Sequence, residues 1–231
     1  MEDDRRKSRG QRAEVGELLH SEDFEERIRD SGRFPPRRVI NPLLSFLYDT
    51  DEVVKWRAVK AIGIVVATMA DDDMEAARGI MRRLIWSLND ESGGVGWGSP
   101  EAMGEIMAMH GGVAEEFFRI LVSYIREDCN PLENGLLERG VLWGLARLAQ
   151  ARPHLLRCAV ESFYPYLASA DPVHRGLAAW ALGFLDSGVP EARLRPLLED
   201  HTEIRVYDMG EVRSYRVSEL AKALPGKAAD G

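Results

Sequence analysis

The stretch DPVHRGLAAWALGFL, residues 171–185, aligns without gaps with DEVVKWRAVKAIGIV, residues 51–65. Asp171 falls on Asp51, Arg175 on Lys55, Ala178 on Ala58, Ala181 on Ala61 and Gly183 on Gly63. EAMGEI (101–106) adds a third copy and ERGVLWGLARL (138–148) a weaker fourth, in which Arg147 takes the glycine slot. Successive slots at 63, 104, 147 and 183 lie 41, 43 and 36 residues apart, and SELAKALPG (218–226) reads as a fifth copy with Pro225 in the slot. A period of this length narrows the choice of fold more than any other feature. Each unit is too small to bury its own apolar face and must lean on the next.

Each copy is preceded by a second helical pattern, at roughly 36–48, 73–89, 113–127, 152–168 and 190–199. Ile80, Leu84, Ile85 and Leu88 show the i, i+3, i+4 spacing of an amphipathic helix. Corners are expected at Asp49–Asp51, Asp71–Asp73, Asn130–Pro131 and Ala170–Pro172, with the Asp71–Asp73 run serving as helix N-terminal charge. Small residues recur on the second helix of each pair, as at Ala58, Ala61 and Gly63, where they allow neighbouring helices to approach closely. The expected organisation is a charged, disordered tail over 1–12, a helical lead-in near 13–30, one domain of about five helix pairs over 13–225, and a disordered tail over 226–231.

Asp-Pro-x-x-Arg-x-x-Ala-Ala-x-Ala-Leu-Gly-x-Leu at 171–185 resembles a HEAT repeat of the phycobilisome-lyase-like type. The likeness extends over roughly 35–225, and the whole chain is similar to a group of bacterial HEAT proteins. The resemblance implies an all-α fold, an α-α superhelix whose second helices line a concave face. It also implies that the cation slot shared by Lys55, Arg139 and Arg175 pairs with an acidic residue between repeats. Protein-binding scaffolds dominate such a group. A chromophore- or cofactor-handling lyase or isomerase and a HEAT-type DNA glycosylase are the rival readings it brings.

Charge weighs against the last of these. Basic residues number 30 against 38 acidic ones, and residues 1–12 hold five and three of them, so the remainder carries −10. Such a body repels a phosphate backbone unless its cations share one face. No signal peptide or membrane span is expected, which suggests a cytoplasmic protein. Cys129 and Cys158 lack ligand spacing and read as buried thiols in a reducing compartment.

The segment NDESGGVGWGSPEAMGEI (89–106) is the one glycine-rich break in the pattern. It fails as a phosphate loop: Ser99 stands where GxGxxG needs glycine, no Gly-Lys pair follows, and a helix precedes it instead of a strand. One repeat has exchanged the start of its second helix for a loop, with Ser99 expected as N-cap and Pro100 and Glu101 behind it. The loop reads either as a long corner or as a recognition element. In the second case Asp90, Glu91, Gly94, Gly96, Trp97, Gly98 and Glu101 form a site, with Trp97 as anchor and the acids favouring a peptide or cationic group. Arg57, Lys60 and Trp180 extend it as a mixed cationic and aromatic groove. Trp56 and Trp143 also fall in second helices.

Catalytic and metal motifs are missing. The five histidines are scattered, there is no HExxH and no Gly-x-Ser-x-Gly, and His110 before Gly111–Gly112 reads as a helix end with a glycine cap. No metal or cofactor is expected. EIRVYDMGEVRSYRV (203–217) alternates around Asp208–Gly210 and predicts a short hairpin that either caps the last repeat, the favoured reading, or adds an interaction edge. The expectation is a non-catalytic scaffold for a protein or peptide, with neither nucleic acid nor membrane as partner.

Overall fold

The computed structural model describes residues 2–30, 32–88, 96–185, 188–224 and 226–227. The chain divides into two compact units, residues 1–114 and 115–231.

The first unit opens with α1 (Glu2–His20) and the short α2 (Phe24–Ile28). Then come α3 (Pro36–Ser45), continued by a 3-10 turn over Phe46–Tyr48, α4 (Glu52–Asp72), α5 (Met74–Leu88) and α6 (Ser99–Met109). Asp51 caps α4 by accepting from the N–H groups of Val53 and Val54, as its type and place in the repeat suggest. Helix α4 runs through Asp72, so Asp71 and Asp72 close one helix, and only Asp73 supplies N-terminal charge to the next by accepting from Ala76 N–H. The core is the seam between α3, α4, α5 and α6, where Leu43, Ile62, Met81, Met103 and Ile106 are fully buried. On α5 the buried residues are Ala77, Met81 and Leu84, while Trp86 stands 74% exposed.

Helix α7 (Gly111–Ser123) spans the boundary between the units. Before it, His110 stays extended and its Nδ1 accepts from Val113 N–H at 3.1 Å. His110 thus ends one helix and caps the next, and Gly111 joins the following helix instead of capping α6.

The second unit continues with α8 (Gly135–Ala151), α9 (Pro153–Leu156), a 3-10 segment over Arg157–Phe163, α10 (Tyr164–Leu167) and α11 (Pro172–Gly183). Asn134, four residues beyond the expected corner, caps α8 by accepting from the Leu136 and Leu137 N–H groups. The helix predicted over 152–168 is broken into three pieces. Pro165 has no N–H to donate and its ring crowds the preceding turn, which favours the tighter winding before it. Cys129 and Cys158 lie in the loop before α8 and in this 3-10 segment; both thiols are exposed, contrary to the expectation of burial.

Beyond α11 lie β1 (Val189–Pro190), α12 (Glu191–Leu198), β2 (Glu203–Asp208), β3 (Glu211–Arg216), α13 (Val217–Ala221) and β4 (Gly226–Lys227). Strands β1 and β4 pair in parallel, Val189 with Gly226 and Pro190 with Lys227. Strands β2 and β3 form the expected antiparallel hairpin, in the register Ile204 to Tyr215 and Asp208 to Glu211. Met209 (φ 52°) and Gly210 (φ 87°) form its two-residue turn with both φ angles positive, which matches the twist of the strands. Second helices pack in succession here, α8 on α11 and α11 on α13, around Leu142, Leu145, Phe163, Ala178 and Leu182. No helix among the described residues is long and apolar enough to cross a membrane.

Candidate functional site

The glycine-rich turn is pinned at both ends. Gly96 lies against the end of α5, where a Cβ would come within 2.8 Å of the Ser87 carbonyl oxygen. Gly98 adopts φ 75°, ψ −7°, and a Cβ there would sit 3.0 Å from Leu47 Cβ in the 3-10 turn. Ser99 N–H donates to the Gly96 carbonyl at 3.0 Å, closing a turn whose left-handed third residue favours glycine. Trp97 occupies the second position and is half-buried. The N-cap of α6 is therefore Gly98, one residue earlier than the sequence suggests, and Ser99 is buried with its hydroxyl 2.8 Å from that of Ser87. Asp90, Glu91 and Gly94 lie outside the described residues.

Among the described residues, the charged groups expected near this loop are engaged within the unit. Glu101 is buried, with Oε1 3.0 Å from Lys55 Nζ. One helical turn on, Glu105 is buried with Oε1 3.0 Å from Lys60 Nζ. Two carboxylates spaced i, i+4 on α6 thus meet two lysines on α4, and the Glu105 side chain crosses over Gly63, where a Cβ would meet its Cγ at 2.6 Å. Arg57 donates to the carbonyls of Leu19 and Ser21 at 2.9 and 3.0 Å, satisfying groups at the end of α1. Arg57, Lys60 and Glu101 hold the unit together and are engaged within it. Glu105 went unnoticed in the sequence, although it stands one helical turn beyond Glu101.

In the second unit Trp180 is half-buried with its ring edge-on to Phe184, centroids 5.9 Å apart. Trp143 is buried and donates through Nε1 to the Tyr207 carbonyl at 2.8 Å, while a Cβ at Gly176 would meet Ile204 Cδ1 at 2.3 Å. The hairpin therefore rests on α8 and α11. The cation slot repeats the α4–α6 arrangement: Arg139 Nε lies 2.7 Å from Asp171 Oδ2, and Arg175 NH2 lies 2.7 Å from Asp200 Oδ2. Burial pushes both carboxyls up, but hydrogen bonds outweigh it and hold them below the usual carboxylate value. Those bonds come from Arg139 and the Val173 N–H at Asp171, and from Thr202 and Arg175 at Asp200.

A cleft of about 730 Å³ in this unit is lined by Arg126, Asp128, Glu138, Cys158, Tyr166 and His174 among others. His174 spans its floor, with Nε2 3.1 Å from the Gly135 carbonyl and Nδ1 3.2 Å from the Ser169 hydroxyl. Burial and then the Glu138 carboxylate push the Tyr166 phenol well above its ordinary value. Among the described residues no group of three or more His, Cys, Asp or Glu is placed to hold a metal.

Paired helices with a cation-to-acid contact from one repeat to the next define a HEAT-type repeat protein, and comparisons with known proteins agree. The model of the HEAT-like repeat matches residues 136–185. An uncharacterized protein of Archaeoglobus fulgidus is 33% identical over 182 residues, spanning 77% of this chain and 91% of its own length. The chain belongs to the same family as that archaeal protein. Among solved structures, it is similar to a computationally designed armadillo repeat protein for modular peptide recognition (TM-score 0.50, 16% identity). It is also similar to a designed armadillo repeat protein in complex with the peptide (KR)4 (TM-score 0.51, 18% identity). Each alignment covers 91% of this chain and 96% of the other. At these identities they speak to the fold alone.

Proposed function

We propose that this protein is a non-catalytic scaffold that binds a protein or extended peptide through its second-helix faces and the 89–101 loop, with Trp97 as an anchor. The observation that carries the reading is Trp97 itself. A half-buried indole sits on a turn fixed by two glycines, immediately before the start of α6. A rigid aromatic on a pinned turn gives contact area at small entropic cost. Repeat folds of this type support peptide recognition in the designed armadillo proteins, consistent with a binding role here. Lys60, Glu101 and Arg57 are already engaged in ion pairs and hydrogen bonds within their own unit, which leaves Trp97 as the leading recognition group.

The test is affinity capture of partners by the purified chain, followed by calorimetry of the captured partner against wild type and Trp97→Ala. The expected result is a loss of at least tenfold in affinity with an unchanged circular dichroism spectrum and melting temperature. Equal binding by the variant would remove Trp97 from the interface. A pigment or small molecule copurifying in place of any polypeptide would replace the scaffold reading with a lyase-like one.

A further inference from the structure

We propose that the cleft between α1 and α3 is a site for a small molecule carrying two or more phosphate groups. This site is separate from Trp97 and does not depend on the scaffold reading. The cleft has a volume of about 920 Å³ and is lined by Arg12, Arg37 and Arg38 together with the uncharged polar groups of Gln11, Asn41 and Ser45. Among the described residues no carboxylate side chain lines the cleft, in a chain whose formal charge is −8.

Each of the three guanidinium groups is held from a different direction. Arg12 NH1 donates to the Ser45 hydroxyl, and its Cζ lies 4.3 Å from the centre of the Phe46 ring. Arg38 NH2 contacts Glu14 Oε2 at 2.7 Å and Arg37 NH2 contacts Asp73 Oδ2 at 2.6 Å. Both are single-point contacts, and a guanidinium has five N–H donors, so each of the two arginines keeps donors for a second acceptor. The side chains are thus oriented without being saturated. Arg37 and Arg38 also occupy the first turn of α3, which has no acidic side chain and whose dipole already favours an anion. Arg83 approaches from α5 and donates to Asn41 Oδ1 at 2.6 Å, adding a fourth cation at the rim.

Size and chemistry select the ligand class. The volume exceeds what one phosphate fills and falls in the range of small-molecule sites. Forked donors match phosphate oxygens in pairs, and the amide and hydroxyl groups suit the hydroxyls of a sugar or polyol phosphate.

Isothermal calorimetry of the full chain with tripolyphosphate, inositol hexakisphosphate and inorganic phosphate tests this. Tripolyphosphate or the inositol phosphate should bind at least tenfold more tightly than inorganic phosphate, and the affinity should weaken as salt rises. Asn41→Asp keeps an acceptor for Arg83 while adding a negative charge to the cleft, and should lower that affinity at least tenfold. Arg37→Gln removes one exposed guanidinium and should lower it severalfold, with the melting temperature of each ligand-free variant confirming its fold. Absence of binding overturns the proposal, and so does binding that both variants leave unchanged, because the ligand would then sit on basic side chains elsewhere. A short DNA duplex that binds while tripolyphosphate does not would overturn it in favour of a nucleic-acid surface.

Discussion

Lys55 on α4 reaches Glu101 on α6, with Nζ 3.0 Å from Oε1, and the same slot in two later copies does the same thing. Arg139 on α8 reaches Asp171, the N-cap of α11, and Arg175 on α11 reaches Asp200. In each case a cation in the first turns of a second helix meets an acid from the following repeat. The contact fixes the stacking register of neighbours whose apolar seams would tolerate sliding. Burying a charge is favourable only when its partner is in place, so the pair penalises every other register.

Removing one partner exposes this dependence. Lys55→Met leaves Glu101 buried without its lysine, and the expected loss is roughly 2 kcal/mol, below the 3–5 kcal/mol of a fully buried pair because Lys55 is partly exposed. Glu101→Gln should cost less, and the double variant Lys55→Met/Glu101→Gln should be more stable than Lys55→Met alone. Urea melts of the four proteins give the coupling energy, and strict additivity would show that the contact fixes nothing.

Acid should loosen the second unit. Asp171 and Asp200 are both held below the ordinary carboxylate value in the folded chain, so on acidification the unfolded chain takes up protons first. Their contribution is complete above pH about 4 and disappears as pH falls through the lowered folded values. Melting temperature should drop as the pH is lowered below about 4. Asp200→Asn should be less stable than wild type at pH 7 but lose less on acidification, and parallel curves for the two proteins would contradict this assignment.

Much of the fold was legible because the signal repeats. Small residues, a capping aspartate and a cation recur together at 51–65 and 171–185, and each recurrence makes chance a poorer explanation of the others. The errors cluster where one local preference outweighs another. Ser99 looks like an N-cap because serine is a good one, yet the left-handed turn at Gly98 takes that position. The segment 152–168 has helical apolar spacing, yet Pro165 prevents one continuous helix. In the candidate site, Trp97 and its glycines could be found from composition alone. The resemblance implied an acidic partner for Lys55, but neither the identity of that partner nor the second pair, Glu105 with Lys60, could be read, because both depend on how α4 and α6 are set against each other, and no single helix encodes that.

The glycine slot itself separates into two kinds of position. At Gly63 a Cβ would overlap the Glu105 side chain at 2.6 Å, whereas at Gly183 the nearest atom is Ala223 Cβ at an ordinary 3.4 Å. Gly63→Ala should therefore displace Glu105 from Lys60 and destabilise the chain by about 1–3 kcal/mol, the range for overpacking a core. Gly183→Ala meets no such obstacle and should be neutral or stabilising by up to about 1 kcal/mol, through helix propensity and a less flexible unfolded state. Thermal melts that move both variants the same way would mean that helix contact alone sets the slot.

The hairpin offers the sharpest test of how the second unit is closed. Trp143 on α8 buries its ring, donates Nε1–H to the Tyr207 carbonyl at 2.8 Å, and faces the Tyr207 ring at 6.3 Å between centroids. Trp143→Phe keeps most of the apolar volume and deletes the donor, leaving a buried carbonyl short of one partner at a cost of about 1–3 kcal/mol. Were the hairpin an appendage with its own stability, that loss would appear only as local fraying. Ile204, however, lies against Gly176 on α11, and Val206 and Tyr207 are buried with it, so the strand shares its core with α8 and α11. Hydrogen exchange should then rise in Trp143→Phe at the amides of 203–208 and, to a comparable extent, along 172–183. Faster exchange confined to the strands would mean that the helices close their own seam and the hairpin merely rests on it.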